Sequence, residues 1–495
     1  MEALPFGNAP AGNVHLPSDY LVSIIPYVPV KSFWQCIPTC EKRTSPAVYY
    51  NWVNNMINHD GFCEVVFLPW APLDWGALGG ELRIGKVVFR PFNPQMVEDE
   101  QVAECLRVYF SRYRNIYNCP VKTITLCHYD PERRSLLEPL SGEAIREIAA
   151  AVDLLTFCAI WEELRLRIEQ GGGVLPPPNS ETFEWYGQRF SRNDSGMPPV
   201  ITIQTHGLKQ VEEIEKLHFQ MPLPAHYRGK IQLNPDLLGL LGQLFTEQME
   251  TTLRERILRS LKWFRIANKQ VQMPDRETQV VQIATALETL LQLPREGKTR
   301  SLAKEVDDWM LDIAEDRAVK ETRTGAKGVP IARTKAGCWA VDFYNLRNDI
   351  VHGNGYSEEK LFYPLSGQLV VYRKPMVLSQ LEVASFVYGA LLIRLLEKET
   401  SYIHPEVLQA QDLSEEERQV LNQLYKSSAW GVGQCLQKLG WMEPRRITTE
   451  DLRRLRAQLI MFGSREAEEE LFSQILIKER ARMRMELPKD GDVKG

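Results

Sequence analysis

The sequence predicts a multidomain chain: an α+β N-terminal domain, then an all-α helical bundle, then a C-terminal helical extension. Three observations predict it. Short runs dense in Val, Ile, Leu, Thr and aromatics, separated by turn residues, characterise residues 1–233. Apolar residues at helical spacing take over in 234–402 and continue through 403–495. The switch falls at Asn234-Pro235-Asp236, which supplies an N-cap, a proline suited to the first helical position, and an acid complementing the helix dipole. At roughly 100–200 residues per folding unit, 495 residues accommodate three such regions.

In the first region strands are expected at 20–25, 63–68, 82–90, 121–127 and 200–205. Helices are expected at 98–113 and 143–170. In the second of these, Ile145, Ile148, Val152, Leu155, Ala159 and Leu164 form one broad apolar stripe. The run GGGVLPPP at 171–178 ends that helix as a loop. The bundle follows with helical patterns at 235–270, 275–293, 299–317, 337–352 and 376–399, and with a small hairpin around Gly367 within 361–373. Further on, Ser414-Glu415-Glu416-Glu417 fits a capping box, and Thr449-Glu450-Asp451 opens another helix. Helices at 414–426, 430–440 and 449–462, with Arg453, Arg454 and Arg456 on the last, read as tri-helical packing or as a helix-turn-helix-like regulator module. The tail from Pro488 is expected to fray.

Composition narrows the function. Apolar residues make up 44% and charged residues 25%, an ordinary globular balance. The 59 basic and 64 acidic residues leave a net charge of -5, so contact with nucleic acid requires a local patch. No run of 18 apolar residues predicts a membrane span, and the opening MEALPFGNAP lacks the pattern of a secretory leader. Nine scattered cysteines do not make a disulfide framework, and the expected location is cytoplasmic. Phosphate-binding Walker and Rossmann glycine motifs, a His-Glu-x2-His zinc motif and a nucleophile elbow are all missing, which weighs against an NTPase, a dehydrogenase or a common hydrolase.

The segment that carries chemistry runs from Phe343 to Gly353, FYNLRNDIVHG. Phe343, Leu346, Ile350 and Val351 supply a core-facing side. Asn348 and His352, four apart, share nearly one face. Arg347 lies about 140° round the helix from His352, at roughly 100° per residue, yet its long side chain can reach the same place. Gly353-Asn354-Gly355 stops the helix and leaves His352 in the last turn, where the dipole favours a cation.

Here the sequence resembles a known family. Arg347-Asn348-x3-His352 is similar to the Arg-x4-His signature of HEPN domains, and the wider context resembles the ApeA-like branch. That context is Ala286-Leu287-Glu288-Thr289-Leu290-Leu291 on one helix, Ser301-Leu302-Ala303 on the next, and then the Leu-Arg-Asn-Asp-Ile-Val-His-Gly turn. The resemblance covers about residues 240–400. The long basic segment before the motif and the 361–373 insertion depart from a minimal HEPN bundle. The resemblance implies a metal-independent endoribonuclease without cofactor, working as a homodimer with both motifs facing one cleft. Arg347, Asn348 and His352 would be catalytic, with Glu288 as a supporting partner of Arg347. It further implies cleavage of cellular RNA such as tRNA in antiviral abortive infection. An always-active nuclease would harm its host, so the N-terminal domain is expected to restrain it and to recognise a trigger, for instance one derived from phage. The chemistry suits the side chains: imidazole exchanges protons near working pH, and guanidinium grips phosphate oxygens. The rival expectation is a HEPN scaffold that dimerises and binds RNA without cutting it. A bland alternative makes Arg347 and His352 a solvated helix end.

Two further sets of residues stand out. The segment 317–335 carries Arg317, Lys320, Arg323, Lys327, Arg333 and Lys335 against one acid, Glu321. With Gly325, Gly328 and Pro330 it reads as a flexible loop that can track an RNA backbone, or simply as a solvated surface. Cys36 and Cys40, with Cys119, Cys127 and His128, offer a zinc alternative, although neither pair shows the tight Cys-x2-Cys spacing and buried free thiols explain them more simply. Trp34, Trp52, Trp70, Trp75 and Trp161 read as packing aromatics or the lining of a ligand groove.

Overall fold

A computed structural model describes residues 61–97, 100–130, 140–169, 179–191, 200–205, 208–222, 230–231, 233–246, 248–269, 275–314, 317–325, 328–365, 370–371, 374–375, 377–400, 430 and 432–443. All belong to the compact unit His59–Gly495. The expected strand at 20–25, the loop at 171–178, the helices at 414–426 and 449–462 and the tail from Pro488 lie outside them.

The fold is mixed α and β, with nine helices among the described residues. In chain order the first part comprises β1 (Gly61–Leu68), β2 (Leu82–Ile84), β3 (Val87–Pro91), α1 (Glu100–Phe110), β4 (Tyr113–Arg114), β5 (Thr125–Tyr129), α2 (Gly142–Glu169), β6 (Tyr186–Ser191), β7 (Val200–Thr205), β8 (Leu208–Glu213) and β9 (Phe219–Gln220). Seven strands form one sheet in the order β2-β3-β5-β1-β6-β7-β8, each pair antiparallel. The expected strand at 82–90 is a hairpin, because the chain reverses at Gly85, whose φ of 57° favours glycine. A Cβ there would also meet the Phe245 ring at 2.5 Å. The strand expected at 121–127 begins instead at Thr125.

Strand periodicity sorts side chains between two cores. On β1, Val65 and Phe67 join Tyr109, Phe110, Tyr113 and Phe190 on one face. Val66 and Leu68 join the main core on the other. Tyr113 stacks on Phe219 with centroids 4.5 Å apart, and the Tyr109 and Tyr113 hydroxyls meet at 2.9 Å inside the smaller core.

The second part comprises α3 (Pro235–Gly242), α4 (Thr251–Ala267), α5 (Arg276–Leu291), α6 (Lys298–Ala314), β10 (Lys320–Thr324), β11 (Pro330–Thr334), α7 (Lys335–His352), β12 (Phe362–Pro364), β13 (Val370–Val371), β14 (Lys374–Pro375), β15 (Val377–Ser379), α8 (Gln380–Glu399) and α9 (Val432–Lys438). Asn234 caps α3, its side chain accepting from Asp236 N at 3.0 Å and Leu237 N at 3.2 Å. The helical pattern expected over 235–270 divides into α3 and α4, because after Gly242 the chain tightens into a 3-10 turn and Thr246 is extended. The inserted hairpin is longer than expected: β12 pairs with β15 and β13 with β14.

The segment expected as a flexible loop, 317–335, is instead a β-hairpin of β10 and β11. Ala332 and Thr334 are buried, and this inward-facing pair on β11 gives the hairpin its fixed side.

The main hydrophobic core runs without interruption across the expected boundary at 233/234. Trp161 of α2 stacks on Phe386 of α8 with centroids 6.4 Å apart and planes 3° from parallel. Its indole N–H donates to the Phe386 carbonyl at 3.2 Å. A Cβ on Gly389 would come within 2.1 Å of the Trp161 ring, so the indole takes the space a larger residue would fill. Ion pairs between α2 and α4 cross the same boundary: Arg265 to Asp153 at 2.9 Å and Arg254 to Glu147 at 2.7 Å. From the region expected as a C-terminal extension, α9 buries Val432, Cys435 and Leu436 in the same core, and Trp441 packs on Trp339 with centroids 5.4 Å apart. Among the described residues no helix is long and apolar enough to cross a membrane.

Candidate functional site

Helix α7 carries the motif, and its start is tightly fixed. The Thr334 hydroxyl accepts from Gly337 N at 3.1 Å as N-cap. Beneath it lies the buried carboxylate of Asp307 from α6. Asp307 accepts from the Thr334 hydroxyl at 2.7 Å, from Thr334 N at 3.0 Å and from Arg333 N at 2.7 Å. Gly337 is required there, since a Cβ would stand 2.2 Å from Asp307 Oδ1. The helix ends as expected at Gly353, with φ 67°, and Asn354 N donates to the Asp349 carbonyl at 2.8 Å.

Towards that end Arg347 is brought to Glu288 of α5, as expected, with Nη2 3.4 Å from Oε1. Its Nη1 donates to Asn348 Oδ1 at 3.2 Å, and its guanidinium lies 5.5 Å from the centroid of the Tyr344 ring. Arg347 Nε is buried without a hydrogen-bond partner among the described residues. The Tyr344 hydroxyl donates to Glu288 Oε1 at 2.6 Å. Burial, and secondarily Glu288, hold that phenol well above its usual pKa, so it stays a neutral donor. Glu288 is also ion-paired with Lys298, the first residue of α6. Two cations thus share one carboxylate, and the cluster keeps one net positive charge.

His352 is exposed in the last turn, one turn beyond Asn348, and makes no hydrogen bond among the described residues. Asp349 has local partners, Asn354 Nδ2 at 3.4 Å and Lys360 Nζ at 4.0 Å. In arrangement, then, the end of α7 offers a held guanidinium and a free imidazole on neighbouring turns. A guanidinium fixed by a carboxylate and an amide can meet an anion with little further ordering.

Lys298 and Tyr344 are neighbours of Arg347 at Glu288 that the sequence alone did not reveal. A glutamate in an apolar stripe calls for a cation, and the next helix opens with Lys298. Only the fold of the intervening turn shows that the two meet.

Two arginines of the basic hairpin are paired with acids of the neighbouring helices α7 and α6. Arg323 pairs with Asp342 at 2.7 Å, and Arg333 with Asp308 at 2.9 Å. Lys320 is exposed and Lys335 half-buried at the start of α7, while Lys327 lies outside the described residues. The hairpin turn approaches the first turn of α6: Arg300 Nη2 lies 4.0 Å from where a Gly325 side chain would begin.

Of the zinc alternative, Cys36 and Cys40 lie outside the described residues. Cys119 is exposed and Cys127 sits in the main core, where burial holds its thiol well above the usual range. Among the described residues no group of three or more His, Cys, Asp or Glu is placed to hold a metal ion. The chain matches no protein-family model, no curated protein and no solved structure.

Proposed function

We propose that the chain is a metal-independent endoribonuclease of HEPN type. The observation that supports this most is the cluster at the end of α7: Arg347 held by Glu288 and Asn348, with excess positive charge, five residues before an exposed His352. RNA brings its own nucleophile. In the proposed reaction an imidazole takes the 2′-hydroxyl proton, O2′ attacks phosphorus, and the P–O5′ bond breaks as a second imidazole protonates the leaving oxygen. Arg347 steadies the non-bridging oxygens as negative charge builds, and Asn348 fixes the guanidinium. One chain supplies one such imidazole, so the reading calls for two copies facing a shared cleft. The products are a 2′,3′-cyclic phosphate and a 5′-hydroxyl. In the wider proposal the substrate is cellular RNA such as tRNA, the setting is antiviral abortive infection in the cytoplasm, and the N-terminal region answers a trigger.

A second reading is favoured by one specific observation: the Arg347 side chain is only 19% exposed and already carries three contacts. It makes the site a phosphate grip on a dimerising scaffold, without cleavage. Incubating the purified full chain with mixed RNA in EDTA separates the two. The nuclease reading expects cyclic-phosphate ends from wild type, and a loss of about 100-fold or more in His352→Ala and Arg347→Ala, within the usual range for an acid–base group. RNA binding with no cleavage by any of the three proteins supports the scaffold and overturns the nuclease.

A further inference from the structure

We propose that Lys298 is a second phosphate-binding residue of this site, with Glu288 as the positioning residue that sets it beside Arg347. The inference rests on reading the site as one that receives an RNA backbone. Its basis is the sharing of one carboxylate. Glu288, from α5, is contacted by Lys298 at the start of α6 and by Arg347 and Tyr344 from α7. A single carboxylate neutralises a single cation, so the pair is left with a charge that an incoming anion can satisfy. Neither cation is sealed in: the Lys298 side chain is 29% exposed and that of Arg347 19%.

The first turn of α6 points the same way. Lys298, Thr299 and Arg300 occupy it, with no acid among them. Cations are unfavourable beside the positive end of a helix dipole. The preceding residue, Gly297, has no side chain with which to cap the free backbone N–H groups. Lys298 and a half-neutralised Arg347 therefore meet at Glu288, beside a helix start whose first turn carries no acid. The buried Arg347 Nε has no hydrogen-bond partner among the described residues. A phosphodiester oxygen is an acceptor of the right charge for this set. Lysine suits the role, because its ammonium acts as a point charge without the planar demands of guanidinium.

The test uses the full chain and a 2′-O-methyl RNA oligonucleotide, which lacks the attacking hydroxyl and therefore binds without being cut. Affinity is measured by fluorescence anisotropy across a salt series. Losing one phosphate contact on a single strand lowers the slope of log affinity against log salt by about 0.7. Lys298→Ala and Lys298→Met are expected to show that fall together with weaker binding, and Lys298→Arg is expected to restore the slope. Lys298→Met keeps the aliphatic stem, so it guards against a packing defect. Cleavage of unmodified RNA in EDTA is followed in parallel, with KM expected to rise in Lys298→Ala and to recover in Lys298→Arg. A wild-type slope in both neutral variants, or a loss that Lys298→Arg fails to restore, overturns the role of Lys298 even if wild type cleaves RNA. A slope loss restored by arginine in a protein that never cleaves RNA sustains the role of Lys298 and removes the nuclease instead.

Discussion

Along α7, Ala336, Gly337, Cys338, Trp339, Ala340 and Val341 are all buried, whereas Arg347 and Asn348 are half-buried and Val351 and His352 exposed. The two halves share one helix and one sequence register, and they differ in what surrounds them. The first is gripped by the Asp307–Thr334 network, by Trp441 and by Gln380, whose Oε1 accepts from the Trp339 indole at 2.9 Å. The second still buries Tyr344 and Leu346, but its outer side meets one cluster of charged side chains and then solvent. The difference teaches that the anchoring part of the helix and its candidate site are separated along one axis. The buried half sets the axis, and the helix carries that placement to residues that need little packing of their own.

This contrast can be broken most directly at Trp339. Trp339→Ala is expected to lower stability by about 3–5 kcal/mol, the usual cost of deleting a large buried aromatic, as read from urea denaturation. A loss below about 1 kcal/mol would mean that the first half is not the anchor, since even ordinary substitutions are centred near that value. Gly337→Ala sharpens the comparison at a single atom. The added methyl meets Asp307 Oδ1, and a cost of about 1–3 kcal/mol is expected from overpacking. The smallest effect belongs to the far end. His352→Ala should leave stability within about 0.5 kcal/mol of wild type, as an exposed substitution, so any loss of RNA cleavage in that variant reports chemistry and not unfolding.

The legible parts of the molecule were those written into one stretch of chain. The helix ending at Gly353 follows from local spacing and a glycine stop, and the pairing of Glu288 with Arg347 from an acid stranded among apolar neighbours. The strands at 186–191 and 208–213 were not anticipated: YGQRFS and LKQVEE lack the apolar alternation of a half-buried strand, and their pairing partners supply the order. The hairpin at 320–334 was read as a loop for a similar reason, because every residue of β10 faces solvent and hydrophobic periodicity has nothing to report. Lys298 was hidden differently. Its partner lies ten residues back on another helix, and only the turn between them brings the two together. The continuity of the core across 233/234 was invisible too, since α2 is buried on nearly every side through its middle and no stripe says which neighbour each side meets.

The indole seated on Gly389 carries a practical lesson. A fragment cut to begin at 234 would open a tryptophan-sized slot in α8 and bare Phe264 and Tyr388, which otherwise pack edge-on against Phe157. Such a piece would be prone to clump, and toxicity measured with it would say little about an inhibitory N-terminal region. A cut at 142 meets the same objection, since Val66, Leu68, Phe89 and Cys127 pack in that core, so restraint is tested with point variants of the full chain.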